Sequence, residues 1–598
     1  MAKRTYGSHF FDVLKSLFFG RRTATLSIFE EEQVQSPYRT MLRNFRQNWS
    51  AMLGLYVFFA IFLAVFILPL FFPLDLQFQD PTQKNTKPTL SYMKYAKEIS
   101  GNVVSIDQGS VYGLGVGSDG VIRQWGTLTP KLQNLPQINA KVIQVSAGLD
   151  HALALDENGK VYTWGNDRFM LSNIPPQVQS SRVKQVLAGH QISLALTEDG
   201  RIFFWGNTNL INIPIPEERQ GSFSKISANT TLAVALTTQG EAVTLSSRET
   251  PFSYIPQEIQ GSIVDVAITE RSAAAVTDDG VIHVWGGDDY GVQQVPSLAQ
   301  GNAIAVSAGR GHFTALLSDG SVVSWGRNNY KQSKAPKLNN IVGITSSYFQ
   351  NYAIDADGKI HSWGLKGYLM GTDQYGRDLL TRLLSGGRVT LTIGAIAVII
   401  SAFIGIILGA FSGYYGGKPD MLIMRIAEVV NAIPFLPLAM ILSAIIGSRI
   451  SETGRISMIM VILGLLSWPP LARLVRGQML AAREQEFVTA AKAMGITELK
   501  IIFKHILPNV ITVILVNLTL SFALCMLYES SLSYLGFGVN EPNATWGNML
   551  YGCNDSTVMA NYAWRWIFPA IALSLATVSI NMVGDGMRDA IDPKTNDR

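Results

Sequence analysis

Long uncharged apolar runs constrain this chain more than any other feature of its sequence. A helix needs about 20 mostly apolar residues to cross the hydrocarbon core of a bilayer, so each run predicts a membrane-spanning helix. Six runs reach this length: Ala51–Pro73, Val389–Phe411, Met421–Ile446, Ile456–Val475, Val510–Leu532 and Trp564–Val583. Charged residues make up only 15% of the chain, and the apolar excess lies in these runs rather than in residues 80–365. We therefore expect six spans and a large polar insertion.

The first run is predicted to be a retained anchor rather than a cleaved secretion signal. Ala51–Pro73 is longer than the 7–15 apolar residues of a signal peptide. It follows a polar N-terminal segment, and "LPLFFPLDLQFQD" at its far end offers no small-x-small cleavage site.

The distribution of Lys and Arg predicts the orientation of the spans. Basic residues cluster before the first run and between the fourth and fifth runs, whereas residues 533–563 contain none. They are Arg39, Arg43 and Arg46, followed by Arg476, Arg483, Lys492, Lys500 and Lys504. By the positive-inside rule both basic segments are cytoplasmic. With six spans, both termini are then cytoplasmic and the polar insertion is extracytoplasmic.

The polar insertion repeats every 38–41 residues, measured between the glycines of successive turns. These are Gly120, Gly159, Gly200, Gly240, Gly280, Gly320 and Gly358. In one unit, "VIQVSAGLDHALALDENGKVYTWG" at Val142–Gly165, "HALAL" and "KVYTW" alternate as strands do. The intervening "ENG" supplies the positive-φ residue of a tight hairpin turn. A period this regular predicts a repeat architecture of small antiparallel sheets.

A tryptophan occupies one position in six of the seven units. The six are Trp125, Trp164, Trp205, Trp285, Trp325 and Trp363. The fourth unit has Leu245 there and is least regular at Ser246–Thr250. A large aromatic side chain at a fixed place allows neighbouring sheets to pack face to face, so we expect a seven-bladed β-propeller. His151 and His312 occupy matching positions, for which a structural role is favoured over a metal-binding or catalytic one.

These units resemble the RCC1 repeat family, whose "SAG..H..AL..DG.V..WG" pattern is clearest at Ser307–Gly326. The resemblance covers about Val103–Gly364. It implies a propeller fold but no particular activity, because the family hosts unrelated functions. A closed ring also explains how the insertion is tolerated, since its two ends lie close together and fit into a loop of the host.

The loop between the fourth and fifth runs predicts two short amphipathic helices. In "REQEFVTAAKAMGITELKIIFKHILPN", apolar residues recur at i, i+3, i+4 and i+7, which is one face of a helix. On the first helix they are Phe487, Ala490, Ala491 and Met494, and on the second Leu499, Ile502, Phe503 and Ile506. Gly495 suits the position after the first helix, and Pro508 follows the second. Such helices either form a docking surface or lie on lipid.

The same loop resembles the coupling loop, or EAA motif, of ABC importer permeases. It matches at "AA", the glycine and "HILPN", and departs at Thr489, where that family usually has an acidic residue. The resemblance implies that residues 484–508 dock onto an ATPase subunit. It assigns this role to Phe487, Thr489, Ala490, Ala491, Met494, Gly495, His505 and Pro508.

Further stretches resemble the C-type permease of dipeptide, oligopeptide and nickel ABC importers. They are "GTDQYGRDLLTRLLSGGRVTL", "GYYGGKPDMLIMR", "SSLSYLGFGV", "WGNML" and "GDGMRDAIDP". The match covers the first span and Gly371–Pro593. It implies a second, B-type permease subunit, two ATP-binding cassette ATPase subunits and an extracytoplasmic substrate-binding protein as partners. It also implies peptide as the substrate, with nickel or another small solute as the alternative.

The chain is not predicted to be an enzyme. "GYYGGKP" at Gly413–Pro419 is similar to a phosphate-binding loop, but Ser412 and Pro419 stand where that motif needs Gly and Ser or Thr. The ATPase must therefore be supplied in trans, and no catalytic group, cofactor or metal site is predicted. The net charge of +4 gives no argument for nucleic acid. Cys525 and Cys553 suggest no disulfide framework.

Two features of the runs concern their packing. Arg425 and Glu428, spaced i, i+3, favour a structural pair at the lipid interface over a substrate contact. Prolines are expected to kink the helices that contain them, namely Pro434, Pro437, Pro469 and Pro470.

The sequence thus predicts a multi-domain, multi-pass protein of the plasma (inner) membrane, an all-α six-span permease interrupted by an all-β propeller. The expected divisions are 1–48 cytoplasmic segment, 49–73 first span, 74–102 linker, 103–364 propeller, 365–388 connector, 389–593 permease core and 594–598 tail. A different class of function is a membrane-anchored propeller receptor or adhesin. The coupling loop and "GDGMRDAIDP" argue against it, because an anchor needs neither.

Overall fold

The chain forms two compact units, Met1–Phe78 with Leu379–Arg598, and Gln79–Asp378. The computed structural model describes residues 37–71, 76, 78–91, 93–207, 215, 217–228, 233–245, 253–447 and 449–591. The irregular segment Ser246–Thr250 and the C-terminal tail 594–598 lie outside these residues. The first unit is helical and the second consists of small β-sheets.

The described part of the helical unit contains five helices that are long and apolar enough to cross a membrane. They are Trp49–Phe71, Leu379–Tyr415, Glu452–Arg483, Glu498–Tyr534 and Trp564–Ile591. A sixth candidate is the pair Gly417–Ala432 and Phe435–Gly447, which is bent by 83°. The bend lies at Pro434, which lacks a backbone N–H and forces Ile433 into an extended conformation. The predicted run Met421–Ile446 is therefore broken, whereas the Glu452–Arg483 helix continues through Pro469 and Pro470.

Shorter helices of this unit lie before the first span or between later spans. They are Pro37–Gln47, Glu486–Ala493, Trp546–Met549 and Ser556–Asn561, and π-helical turns occur at Leu63–Ile67 and Ile501–Ile506. The side chain of Asn48 caps the first span by accepting hydrogen bonds from the backbone N–H groups of Ser50 and Ala51.

Three glycines spaced four residues apart bring the Leu379–Tyr415 and Glu452–Arg483 helices together. A Cβ atom at Gly409 would lie 2.5 Å from the carbonyl oxygen of Ala472, and one at Gly413 would lie 2.6 Å from that of Arg476. At Gly405 the nearest atom, on Leu471, would be 3.0 Å away. Small residues at this spacing allow the close backbone approach that stabilises helix pairs in membranes.

The described residues of the second unit form seven three-stranded antiparallel sheets, each made of consecutive strands. The strands are β1 (Val103–Gln108), β2 (Tyr112–Gly117), β3 (Ile122–Gly126), β4 (Val142–Ala147), β5 (His151–Asp156), β6 (Val161–Gly165), β7 (Val183–Ala188), β8 (Ile192–Thr197), β9 (Ile202–Gly206), β10 (Phe223–Ala228), β11 (Ala233–Thr237), β12 (Ala242–Leu245), β13 (Ile263–Ile268), β14 (Ser272–Thr277), β15 (Ile282–Gly286), β16 (Ala303–Ala308), β17 (His312–Leu317), β18 (Val322–Gly326), β19 (Ile341–Ser347), β20 (Gln350–Asp355) and β21 (Ile360–Gly364). Short 3₁₀ turns lie at Pro81–Gln83, Lys97–Ile99, Arg168–Met170, Glu217–Arg219, Gln257–Ile259, Asp289–Gly291 and Ser297–Ala299, and short helices at Pro130–Gln133 and Pro176–Ser180.

The repeated residues have repeated structural roles. The seven turn glycines all have positive φ, between 72° and 81°. The six tryptophans are 5–7% exposed, and Leu245, in the corresponding place, is 3% exposed. The indole N–H groups of Trp325 and Trp363 donate to the carbonyl oxygens of Val292 and Gln332. Local turn chemistry and aromatic packing thus define each unit.

The first strand of each sheet lies innermost, and its side chains bind the next sheet, so that the seven sheets close into a ring. At five of the seven interfaces a side-chain oxygen accepts a hydrogen bond from a backbone N–H of the next sheet: Asp107 from Ala147, Gln144 from Val186, Gln185 from Ile226, Asp265 from Val306, and Ser307 from Ser346. At a sixth, the ammonium of Lys225 pairs with the carboxylate of Asp265. At the seventh, Gln108 donates to the carbonyl oxygen of Gln350. Polar groups at the axis thereby stabilise the ring.

His151 and His312 also join neighbouring sheets. The Nε2 atom of His151 lies 3.0 Å from the hydroxyl of Ser193, and that of His312 lies 2.8 Å from the amide oxygen of Asn351. Both imidazoles are fully buried. Burial lowers the pKa of each to about 4. They are neutral hydrogen-bonding groups at pH 7.

The segments that enter and leave the propeller run antiparallel beside each other. The backbone N–H of Asp80 donates to the Tyr375 carbonyl at 3.1 Å, and that of Thr89 donates to the Tyr368 carbonyl at 2.9 Å. Thr372 donates to the carbonyl of Thr86 at 3.0 Å. The two ends of the insertion are therefore adjacent, which explains the short seam after Gly364.

Candidate functional site

The helix Glu486–Ala493 in the basic loop ends as the sequence indicates. Gly495 has φ +73°, and its N–H donates to the carbonyl of Lys492 while the N–H of Ile496 donates to that of Ala491. This pair of bonds is the Schellman motif, in which the residue after the helix adopts a left-handed conformation. The backbone, rather than a packed side chain, fixes the direction in which the loop continues.

This helix packs against the rest of the helical unit on one side and is exposed on the other. Val488 and Ala491 are buried in an apolar cluster with Ile501, Ile502 and Ile506. Phe487 and Met494 are 38% and 71% exposed, and Ala490 is also exposed. The predicted apolar face is thus divided, with Ala491 inside and the others outside. The apolar period does not distinguish these two sides, and Val488 was missing from the predicted set.

The second predicted helix is not separate from the span that follows it. Glu498–Lys500, the π-helical turn Ile501–Ile506 and the helix Leu507–Tyr534 are continuous. Pro508 lies in the first turn of that last helix, where the missing N–H is tolerated, so it does not end the segment. Ile502 and Ile506 are buried, whereas Leu499 and Phe503 are 53% and 41% exposed.

Together the exposed apolar residues define a loop surface: Phe487, Ala490, Met494, Leu499 and Phe503. Thr489 and Pro508 are exposed beside it, and His505 is half-buried. The exposure of several large apolar side chains on so short a segment is typical of an interaction site.

Charged contacts hold the base of this loop. The guanidinium of Arg476 makes a bidentate ion pair with Asp420, with N–O distances of 2.5 and 2.6 Å. Arg483 Nη1 donates to the carbonyl oxygens of Gly413 and Tyr414 at 3.4 Å. Arg425 and Glu428 also pair, at 2.8 Å, and both are exposed.

A buried carboxylate near the end of the Glu498–Tyr534 span was missed from the sequence. Glu529 is fully buried and accepts hydrogen bonds from Ser533 at 2.7 Å and Ser530 at 3.3 Å. Nearby, the indole of Trp546 donates to the Leu383 carbonyl, and Asn548 donates to that of Val539. The signal was the "ESSLS" spacing, which places hydroxyls one and four residues after the carboxylate. The stretches "SSLSYLGFGV" and "WGNML" thus meet in one polar cluster.

Comparison with known proteins identifies the helical unit. Residues 405–597 match the family model of the binding-protein-dependent transport system inner membrane component, and residues 36–88 match the N-terminal TM domain of oligopeptide transport permease C. The oligopeptide transport system permease protein OppC of Haemophilus influenzae is 42% identical over 231 residues, which are 38% of this chain and 72% of that protein. The dipeptide transport system permease protein DppC of Bacillus subtilis is 39% identical over 226 residues, 38% of this chain and 68% of that protein. The chain belongs to this permease family.

The insertion of this permease matches a second model. Residues 142–169 and 303–332 match the regulator of chromosome condensation (RCC1) repeat. Among solved structures, the CRINKLY WD40 ectodomain of the Arabidopsis thaliana receptor kinase ACR4 aligns with a TM-score of 0.36 and 18% identity, over 44% of this chain and 95% of that chain. The inward-facing MetNI methionine ABC transporter aligns with a TM-score of 0.28 and 22% identity, over 35% and 96%. By the matches of its two parts to the family models, the chain is a permease of the ABC importer family that contains an RCC1-like propeller.

A β-bulge occurs at the second residue of the innermost strand in each sheet of the propeller. A bulge re-aims its side chain, so that residue faces solvent instead of the neighbouring sheet. In five consecutive sheets around the ring it is apolar and 42–64% exposed: Val264, Ile304, Val342, Val104 and Ile143. The other two sheets have Lys184 and Ser224. We call the five residues the apolar crescent.

A cavity of about 440 Å³ lies along the innermost strands of the propeller. Its wall includes Asp107, Asp265 and Lys225, and the loops after the strands contribute Glu270 and Arg310. Burial raises the pKa of Asp107 to about 6, against the lowering effect of its hydrogen bonds from Ala147, Gln108 and Ser146. The apolar crescent and Arg310 lie at opposite ends of the innermost strands, because Ile304 is near the start of β16 and Arg310 follows its end.

Proposed function

We propose that this chain is one of two permease subunits of an ATP-driven importer of peptides in the plasma (inner) membrane. The observation that carries the proposal is the 39–42% identity of the helical unit to oligopeptide and dipeptide permeases. The partners are a B-type permease, two ATPase subunits and an extracytoplasmic substrate-binding protein. ATP is hydrolysed by the ATPases and not by this chain.

The loop surface is the proposed ATPase contact. Its exposed apolar side chains Phe487, Met494, Leu499 and Phe503 suit a groove of a partner, while the buried Val488 and Ala491 transmit movement to the spans. A charge placed on such a surface would be buried on docking without a partner, and this cost weakens binding strongly. This supports coupling in which closure of the ATPases pushes on the loop.

The test is reconstitution with the four partners and measurement of ATP-dependent uptake of a labelled tripeptide and, separately, of Ni²⁺. Tripeptide uptake that requires ATP is expected. ATP-dependent uptake of Ni²⁺ without uptake of the tripeptide would instead mean that the substrate is nickel. Met494→Asp should reduce co-purification of the ATPase subunits. Met559→Asp, the same change at a 54% exposed methionine in residues 533–563, which contain no Lys or Arg, should not.

We infer that the propeller is a docking platform for the substrate-binding protein. An exposed apolar arc of this kind marks a protein contact surface, and the apolar crescent lies at the end of the ring remote from the connectors. Val342→Glu with Ile304→Glu should raise the concentration of loaded binding protein that half-saturates ATP hydrolysis. Leu298→Glu, at a 63% exposed leucine outside the crescent, is the control.

Deletion of the propeller provides a second test of docking. A chain that joins Asp80 to Gly371 should fold, because the two connectors already run side by side, and should keep basal ATPase activity with its partners. It should lose stimulation by the binding protein. Equal half-saturation and equal maximal rates in intact and deleted complexes would favour the receptor or adhesin role for the propeller.

A further inference from the structure

One end of the axial cavity is closed by a charged cluster that includes the entry connector. Arg310 Nη1 lies 2.5 Å from Asp80 Oδ1, and Arg310 Nε lies 2.7 Å from Glu270 Oε1. Asp80, nine positions after the end of the first span at Phe71, is fully buried. Its carboxylate also accepts hydrogen bonds from the N–H and hydroxyl of Thr82. The connector from the permease is thereby tied to the fifth and sixth sheets of the propeller.

Arg310 is held in place but remains open to the cavity. Its backbone N–H donates to the carbonyl of Tyr348 at 2.6 Å, and its side chain is 21% exposed. Although burial alone would lower it, the pKa of Arg310 is raised by the carboxylates of Asp80 and Glu270, so the guanidinium stays charged. Glu270 is 40% exposed on the same wall. A cation and a carboxylate therefore face one polar cavity.

We propose that the axial cavity binds a short peptide with a free C-terminal carboxylate, which pairs with Arg310 in competition with Asp80. The proposal rests on the proposed function for its ligand class. Guanidinium groups bind carboxylates bidentately, and Asp80 holds Arg310 through a single oxygen, so a free carboxylate offers a better geometry. Glu270 supplies the opposite charge for the amino terminus.

The cavity suits a peptide in size and in the groups along its wall. Its volume lies within the range of about 300–1,000 Å³ that small-molecule sites occupy. Arg310 and Glu270 lie on its wall with opposite charges, as the two termini of a peptide have. Because Asp80 belongs to the connector that leads to the first span, binding of a ligand to Arg310 would release that connector from its ion pair.

If the ligand competes with Asp80 for Arg310, removing the charge of Asp80 should strengthen ligand binding, which a purely structural ion pair would not do. Asp80→Asn keeps an oxygen that can cap Thr82 but removes the competing charge. Trialanine should bind this variant about threefold or more tightly than the wild type, because the competent state of Arg310 is populated more often. Arg310→Met should weaken binding by about tenfold or more, because the ligand carboxylate loses its charged partner.

The experiment is titration calorimetry of the purified full chain with trialanine and with trialanine amide, which lacks the carboxylate. The amide should bind about tenfold more weakly or not at all. Arg310→Lys, which keeps the charge, checks the result should Arg310→Met not fold, and it should bind better than the methionine variant. Arg182→Met removes an exposed arginine paired with Glu198 at 3.1 Å, away from the cavity, and should bind like the wild type.

The proposal is overturned by any of three results. They are no trialanine binding below about 10 mM, equal binding of acid and amide, and unchanged or weaker binding to Asp80→Asn. Because the titration needs no ATPase or binding protein, its outcome is separate from that of the uptake assay. Uptake without cavity binding rejects only this inference, and binding without uptake rejects only the proposed function.

Discussion

Gln108 in the first sheet of the propeller donates its side-chain amide to the carbonyl oxygen of Gln350 in the last sheet, at 2.9 Å. The same amide donates to the Ser347 carbonyl at 3.0 Å, and the hydroxyl of Ser347 donates back to the Gln108 carbonyl at 2.7 Å. Gln108 is fully buried. One side chain therefore joins residues 242 positions apart and closes the ring.

Gln108→Leu should destabilise the propeller by about 1–3 kcal/mol, because two buried carbonyl groups lose their donor while the volume is nearly kept. Thermal unfolding followed by tryptophan fluorescence measures the effect, since the six repeated tryptophans lie in the sheets. Gln179→Leu, at an exposed glutamine, is the control and should unfold as the wild type does. Equal midpoints for the two variants would mean that the first and last sheets are joined by packing alone.

His312 should make the stability of the propeller fall in acid. Its pKa is about 4 in the folded state and about 6.5 when unfolded, so the unfolded chain binds more protons between these values. Stability is full above pH 6.5 and decreases as the pH falls to 4, by about 3 kcal/mol at most for this group. His312→Gln should flatten the dependence of the unfolding free energy on pH. His151, with the same pKa, should behave likewise.

Asp107 provides a control of opposite sign. Its folded pKa of about 6 lies above the usual aspartate value of 3.8, so the folded state binds more protons between these values and gains stability as the pH falls. Asp107→Asn should therefore steepen the acid loss that His312→Gln flattens. Parallel pH curves for both variants and the wild type would contradict the linkage.

The sequence predicted features that depend on neighbours along the chain. The turn glycines such as Gly120 and the tryptophans such as Trp164 recur because each unit needs a positive-φ turn and a packed aromatic side chain. The exposure of Ile143 was missed, because a bulge shifts the alternation of a strand and depends on its pairing partner. In the same way, Val488 rather than Phe487 faces inward because the residues 501–506 lie on that side.

In the helical unit, single residues explain both the successes and the misses. Gly495 was recognised as a helix end because its left-handed conformation is a local requirement. Pro434 was expected to kink its helix, but the 83° bend depends on the packing of both arms and cannot be read from one proline. Glu529 was missed because its burial depends on packing against other parts of the fold, although its hydroxyl donors Ser530 and Ser533 are close in sequence.

The predicted orientation can be tested with single cysteines. Both native cysteines are buried and unpaired, at 1% and 6% exposure, so they should react little with a membrane-impermeant maleimide. Leu298→Cys in the propeller should be labelled in intact spheroplasts. Met494→Cys in the loop surface should be labelled only after lysis, because the positive-inside rule places that loop in the cytoplasm. The reverse pattern would invert the topology.

Gly495→Val should uncouple transport from ATP hydrolysis. The φ of +73° costs a β-branched residue of order 1 kcal/mol or more, and no atom lies within 4 Å of the position of the added Cβ. The defect would thus come from the backbone, which must change direction and misalign Glu486–Ala493 with the segment after it. The measurement is the amount of tripeptide imported per ATP hydrolysed in reconstituted membranes.

Two glycine variants serve as controls. Gly495→Asn, whose side chain tolerates this conformation, should stay near the wild-type ratio. Gly477→Ala, which adds a Cβ in open space within a helix, should leave the ratio unchanged. A wild-type ratio for Gly495→Val, with ATPase subunits still bound, would show that the loop does not couple the two activities.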